Sequence, residues 1–415
     1  MTRPMGRVRA AAVCAATVIT TTTMMLGTDA DQADAAGRVR VAEGVTVAPG
    51  ITYQSFSVTA SHGTVTGHVV TADLRDRHVS VGLLSPGKVA ARAKLSQLVA
   101  AQGAVAGVNA DFFNIDETQH PGVQATGSAV GPAISDGVAL KAAVPNGQRF
   151  GPGLPPGTST RDVIGVGYDH KARLDELTLD GTVRARKGKR FDLEGLNQYA
   201  IAEGGIGAFD SRWGDVSRQR AVCGTDTLRA AACTTDAYEV TVRDGRVVAE
   251  SDTIGAGAIE PGTVVLVGRE AGAAELRTLR LGERVRVSDT LRSTSGKRLR
   301  FAVGGYPVLR DGAPLPGLDT KAVATRTGAA IGDNGRLLHL LVLDGTAEAG
   351  AGLTIAELAG VFQAVGAEDG VNLDGGGSST LVTRDALSGA PVVRNHPTGG
   401  AERAVPEGIG LFSRG

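Results

Sequence analysis

Cysteine, aromatic residues and net charge are all scarce in this chain. Only three cysteines occur in 415 residues, too few for a disulfide-stapled scaffold. Aromatic residues make up 4%, with a single Trp, so the core must be built from Val, Leu, Ile and Ala. Charge of one sign is missing too. Forty-three Lys and Arg balance 43 Asp and Glu, which leaves no global field to hold a nucleic acid or an anionic membrane surface. What the chain does have is 42% hydrophobic residues, enough for a folded protein, and 59 glycines. So many glycines imply many tight turns and exclude a fold made mostly of long helices. At about 150 residues per domain, the length suggests two or three domains, or one large one with insertions.

Residues 10–28 form an uncharged stretch, preceded by Arg3, Arg7 and Arg9 and followed by Ala33-Asp-Ala35 at signal-peptidase spacing. We read residues 1–35 as a secretory signal peptide. Thr17 and the threonines at 20–23 make the stretch too polar for a stable membrane span, so no membrane contact is expected after cleavage. Cleavage also removes Cys14 and leaves Cys223 and Cys233 in an oxidising compartment, where one disulfide is expected. Closing that short loop is worth about 2–3 kcal/mol. The seven histidines show no zinc-ligand spacing.

Residues 36–60 read as linker, and 151–160 as a Pro/Gly-rich loop. Residues 36–103 as a whole form an N-terminal region of strands, at 68–74 and 79–84, with a lead-in helix near 95–102 stopped by Gly103. Residues 104–412 are the main domain, with a β-rich insertion at about 161–300 that carries an Asp244-Gly245 hairpin turn. Farther on, Asp333-Asn-Gly335 predicts a second hairpin. Its return strand, Leu337-Leu-His-Leu-Leu-Val-Leu, lacks alternation, should be buried on both faces, and delivers Asp344. Thr354 and Glu357 form a capping box for a helix that ends at Gly366. We therefore expect an α+β fold, a mixed β-sheet flanked by helices with the β-rich insertion.

Two segments share a pattern, Gly103-x3-Gly-Val-Asn-x-Asp111 and Gly366-x3-Gly-Val-Asn-x-Asp374. Period-two geometry pairs Asn109 with Asp111 and Asn372 with Asp374, placing an amide and a carboxylate at each strand end. The glycines at 375, 376 and 377 cost backbone entropy, which points either to a strained turn or to bare N–H groups approaching an anion, with Ser378 and Ser379 adding hydroxyls. No Lys follows, so this is not a nucleotide P-loop. Arg326, beside two threonines at a strand start, is either a surface residue or an anion clamp. Asp344 is either the start of an Asp-Gly turn or an acid/base or nucleophilic group.

Asn109-Ala-Asp-Phe-Phe, Gly304-Gly-Tyr-Pro-Val-Leu-Arg-Asp-Gly, Arg326-Thr-Gly-Ala-Ala-Ile-Gly, Leu343-Asp-Gly, Gly352-Leu-Thr-Ile-Ala-Glu-Leu and Asn372-Leu-Asp-Gly-Gly-Gly-Ser-Ser-Thr resemble, in order, the phosphodiester glycosidase family. The tail from Asn395 to Arg403 is similar to that family's closing segment, with Thr398 where Ser is usual and Glu407 where Asn is usual. The resemblance implies a secreted hydrolase that cleaves a sugar-1-phosphodiester of the GlcNAc-1-phosphate type at the anomeric carbon, in cell-envelope or exopolysaccharide metabolism. A phosphate monoester leaves readily, so an anion clamp and one carboxylate suffice where ordinary glycosides generally use two. On this reading Asp374 and Asp344 are the catalytic candidates. Arg326, Asn109, Asp111, Asn372, Gly375, Gly376, Gly377, Ser378, Ser379 and Arg403 bind substrate, and no cofactor is required. The partner is a phosphodiester-linked sugar or envelope glycan. Two other readings use the same residues: a binder of such glycans that does not cleave them, and a phosphodiesterase that breaks the P–O bond with a divalent cation held by Asp111, Asp344 and Asp374.

Overall fold

The computed structural model describes residues 39–345, 352–385 and 387–414. The expected signal peptide and Cys14 lie outside them. The α+β expectation is overturned, because the described residues are 43% strand and 11% helix, with three α-helices among them. These helices, Leu95–Gln102, Ala271–Leu276 and Ile355–Ala364, are too short and too few to flank a sheet. The sheets are not mixed in any substantial sense either. Among the described strands one short pair runs parallel, Gly195–Leu196 with Ile206–Phe209. Antiparallel neighbours need only tight turns, which the glycines supply, whereas parallel strands need helical crossovers.

Among the described residues four curled sheets result. The largest runs through Val39–Val41, Ile51–Ala60, Gly63–Asp73, Leu337–Leu343, Thr327–Gly332, Ala367–Leu373 and Tyr306–Arg310 to Ala313–Pro314. Residues 51–60, read as linker, are in fact a ten-residue strand paired along its whole length with Gly63–Asp73. Their polar residues sit on the partly exposed face of a sheet, which gives a loop-like composition. A five-stranded sheet of Pro391–Val393, Leu381–Arg384, Ala106–Asn109, Gly408–Ser413 and Val79–Leu84 packs against the large one. Their shared core includes Ile51, Val70, Val81, Val108, Leu340, Leu373 and Leu411, so strands from both ends of the chain meet in it.

Several local expectations hold. The Asp333–Gly335 turn joins Thr327–Gly332 to Leu337–Leu343, with Asp333 and Asn334 in the left-handed region. Asp244 and Gly245 join Ala237–Arg243 to Arg246–Ser251. Thr354 Oγ1 accepts from the Glu357 N–H at 3.1 Å while the Glu357 carboxylate accepts from the Thr354 N–H at 2.8 Å, closing the capping box. The helix it opens packs Leu358 and Phe362 with Leu341 and Leu343, while Leu338, Leu340 and Val342 point into the shared core. Cover on both sides explains why that strand does not alternate. Cys223 and Cys233 form a disulfide.

Candidate active site

The site forms where the chain crosses between the two packed sheets. Ala367–Leu373 ends in the large sheet, and Leu381–Arg384 begins in the five-stranded one. Residues 374–380 span the gap, fastened to both sides. The Asp374 N–H donates to Ala110 O at 2.8 Å, and the Gly376 N–H donates to Thr325 O at 2.8 Å. Close approach to backbone explains Gly375, and a φ of +58° explains Gly376. A Cβ on Gly375 would stand 2.4 Å from Thr325 O, and one on Gly377 would meet the Arg403 guanidinium at 2.4 Å.

Asp374 sits at the foot of this loop, partly accessible but surrounded by protein. Burial pushes its pKa up to about 7, against a hydrogen bond from Ser378 and the charge of Arg403; the negative charge of Asp111 pushes it the same way as burial. Such a carboxylate carries and releases a proton near neutrality. Arg403, exposed on the closing segment, lies over Gly377 and donates to Ser378 Oγ at 3.3 Å. A cation thus reaches the loop that begins at a tunable carboxylate.

Asp111 lies behind, 2% exposed, with Oδ1 accepting the Phe112 N–H at 2.8 Å and Oδ2 accepting the Gly131 N–H. Burial raises its pKa to about 6, against those N–H groups and the charge of Lys141. Asn109, from Ala106–Asn109, is spent on the fold. Its Nδ2 donates to Asp374 O at 2.6 Å, while its Oδ1 accepts from the Thr380 N–H and lies 3.0 Å from Thr327 Oγ1. Thr327 Oγ1 is also 3.1 Å from Ser379 Oγ, so Asn109, Thr327 and Ser379 form a buried brace under the loop. Three loop N–H groups are likewise engaged within the fold: Gly376 with Thr325 O, Ser378 with Gly375 O and Ser379 with Gly376 O.

The remaining predicted residues are placed differently. Asn372 lies within the Ala367–Leu373 strand, which ends before Asp374, whose N–H turns across to Ala110. Its side chain is buried, and neither Nδ2 nor Oδ1 has a partner within the described residues. Arg326 is buried, with Nε donating to Leu353 O at 2.8 Å and one Nη to Ala322 O at 2.6 Å. Its guanidinium therefore ties down the segment before the capped helix. Asp344 belongs to another cluster. It accepts from Thr66 Oγ1 at 2.7 Å, from the His396 N–H at 2.9 Å and from His68 Nε2 at 3.1 Å. His68 Nδ1 in turn meets Tyr53 Oη at 2.8 Å. Burial would raise the Asp344 pKa, but the hydrogen bonds from His68, Thr66 and His396, with the charge of His68, hold it well below the usual carboxylate range. Asp344, Asp111 and Asp374 therefore do not converge as a cation site. Among the described residues no group of three or more His, Cys, Asp or Glu is arranged to hold a metal ion.

Sequence reasoning missed Thr327 as a partner of Asn109 and Lys141 as a neighbour of Asp111. Thr327 stands inside the Arg326-Thr-Gly motif, which was the available signal; Lys141, in an unremarkable Ala-Leu-Lys-Ala context, offered none.

Solved structures share this fold at low identity. A hypothetical protein from Synechocystis is 21% identical over 90% of this chain, with a TM-score of 0.69, and this chain spans 64% of its length. A protein of Burkholderia pseudomallei named provisionally as exported is 19% identical over 90% of this chain and 96% of its own, with a TM-score of 0.67. The zebrafish N-acetylglucosamine-1-phosphodiester alpha-N-acetylglucosaminidase catalytic domain, auto-inhibited by its pro-peptide, is 15% identical over 91% of this chain and 88% of its own, with a TM-score of 0.43, a likeness too distant to place residues. No curated protein matches the chain significantly. Residues 236–412, the part of the chain that supplies Asp374, its glycine loop and Arg403, match the phosphodiester glycosidase family model.

Proposed function

We propose that this chain is a secreted hydrolase that cleaves a sugar-1-phosphodiester, of the GlcNAc-1-phosphate type, at the anomeric carbon of an envelope or exopolysaccharide glycan. The observation that carries the reading is a carboxylate titrating near neutrality at the foot of a loop whose Ser378 hydroxyl is met by an exposed guanidinium. Arg403 binds the phosphodiester anion through charge-assisted hydrogen bonds. Asp374, as the carboxylate, takes a proton from the attacking water while the water oxygen bonds to the anomeric carbon. The bond from that carbon to the bridging oxygen breaks, and its electron pair leaves with the phosphate monoester, whose added negative charge Arg403 stabilises. Asp374 then returns its proton to solvent. The leaving group needs no proton, so a second carboxyl acid is not required, and Asp344 is free to serve the fold. Secretion agrees with the Cys223–Cys233 disulfide, and no helix among the described residues is long and apolar enough to cross a membrane.

Turnover of a GlcNAc-1-phosphodiester in heavy-oxygen water tests the reading. Label in the released sugar is the expected result. Label in the phosphate, with loss of activity on chelation, would replace it with P–O cleavage by a metal-dependent phosphodiesterase. Binding without release would make the chain a glycan binder.

A further inference from the structure

Behind the site lies a second group of buried ionisable side chains that hydrolysis as written does not use. Lys141 ends the Val138–Lys141 strand and turns inward, with 1% of its surface exposed. Its Nζ donates to Gly131 O, and to Ala142 O at 2.9 Å. The same Gly131 gives its N–H to Asp111 Oδ2, so one peptide segment carries the ammonium on one side and the carboxylate on the other. Asp111 cannot retreat from that contact. A Cβ on Gly304 would stand 2.2 Å from its Oδ2 and one on Gly131 2.9 Å, so the carboxylate is wedged between two bare backbones. Glu407 completes the group. It is 5% exposed, its Oε1 has no partner among the described residues, and with Lys141 it lines a cavity of about 210 Å³ between Leu83, Ala133 and Pro406.

We propose that Lys141 is a positioning residue for Asp374: through Gly131 and Asp111 it holds a negative charge behind Asp374 and so fixes the proton affinity of that carboxylate. This deepens the hydrolytic reading and rests on it for its consequence in turnover. The charged and titratable groups around Asp374 are Arg403 and Ser378 in front, with Asp111 and Tyr306 behind. Around Asp111 they are Lys141, Glu407, Tyr199 and Tyr306. Burial pushes Lys141 down and Glu407 up, so the protonation of this pair sets the charge that Asp111 sees. With the ammonium removed, Asp111 takes up a proton, its repulsion of Asp374 vanishes, and Asp374 titrates at lower pH.

Lys141→Met should move the acidic limb of kcat/KM down by about 0.5–1 pH unit. Lys141→Arg should restore it, whereas a loss of packing alone would lower the plateau without moving the limb. Carbon-13 NMR of carboxyl-labelled protein, with Asp374→Asn identifying the resonance, reads the same midpoint whether or not the chain turns over. Failure of the hydrolytic reading is thereby separable from failure of this one. Asp111→Asn should shift the Asp374 midpoint in the same direction, and adding Lys141→Met to it should shift it no further. If Lys141→Met does not fold, Asp111→Asn alone decides. An Asp374 midpoint unmoved in either folded variant overturns the proposal.

Discussion

Asp374 and Asp344 follow two strands that flank Thr327–Gly332 in the same sheet, and their surroundings drive them in opposite directions. Asp344 has three short donors on one carboxylate, one of them a histidine ring. Asp374 has the Ser378 hydroxyl, the Gly375 N–H and a more distant cation, with a second carboxylate at its back. Burial works in the same sense on both, so the number of donors decides which carboxylate becomes a fixed anion and which remains a titrating group. Proton affinity, rather than the mere presence of a carboxylate at a strand end, distinguishes a site for chemistry from a site for structure.

The sharpest way to break this contrast is to exchange Asp374 for Asn. Turnover of a GlcNAc-1-phosphodiester should fall by roughly 10²–10⁴-fold with the circular dichroism unchanged, and near-normal turnover would remove Asp374 from the chemistry. Arg403→Ala should weaken binding of the phosphodiester by about 10–100-fold, the loss expected for a charge-assisted contact, with a smaller change in kcat. Asp344→Asn should instead cost stability, about 1–3 kcal/mol at pH 7 by urea unfolding, because Thr66, His68 and the His396 N–H lose their shared acceptor.

The pH dependence of stability separates the two carboxylates by sign. Asp344 has a depressed folded pKa, so its contribution is present above the unfolded value of about 4 and is lost as pH falls through the folded one. The Asp344→Asn deficit should therefore fade in acid. Asp374 has a folded pKa raised to about 7, so the protein loses stability as pH rises through that value. Asp374→Asn should then be more stable than wild type at pH 8, by on the order of 2 kcal/mol. The smallest effect is expected for Gly377→Ala. The intruding Cβ meets only the far end of the flexible Arg403 side chain, so binding should weaken a few-fold, well short of the Arg403→Ala loss.

Local structure was legible where local chemistry decides it. The Asp333-Asn-Gly and Asp244-Gly turns, the Thr354 capping box, the Gly103 helix stop and the Cys223–Cys233 bond all rest on residues near one another in the chain. The strand at 51–60 was not legible. Its residues alternate weakly, and its partner assignment depends on Gly63–Asp73 being held in turn by Leu337–Leu343, far along the chain. The α+β expectation failed for a similar reason. The two helices visible in the pattern are real, but they are small pieces set against sheets whose antiparallel pairing no short window displays.

In the candidate site, the sequence by itself determined that an aspartate, three glycines and two serines stand together and that an Asn-x-Asp pair recurs at 109–111 and 372–374. Spacing along a strand could not determine what each side chain touches. Asn372 is buried without a partner among the described residues, and Asn109, which matches it in pattern, is spent holding the Asp374 carbonyl. Arg326 and Asp344 carry the residue types that a phosphate site needs, yet one is tied to backbone carbonyls and the other to His68 and Thr66. Only tertiary packing brought Asp111 and Arg403 around Asp374, and Lys141, from a third sheet, beside Asp111. Burial and opposing charges act through space, and a proton affinity is a property of the surroundings that the folded chain assembles.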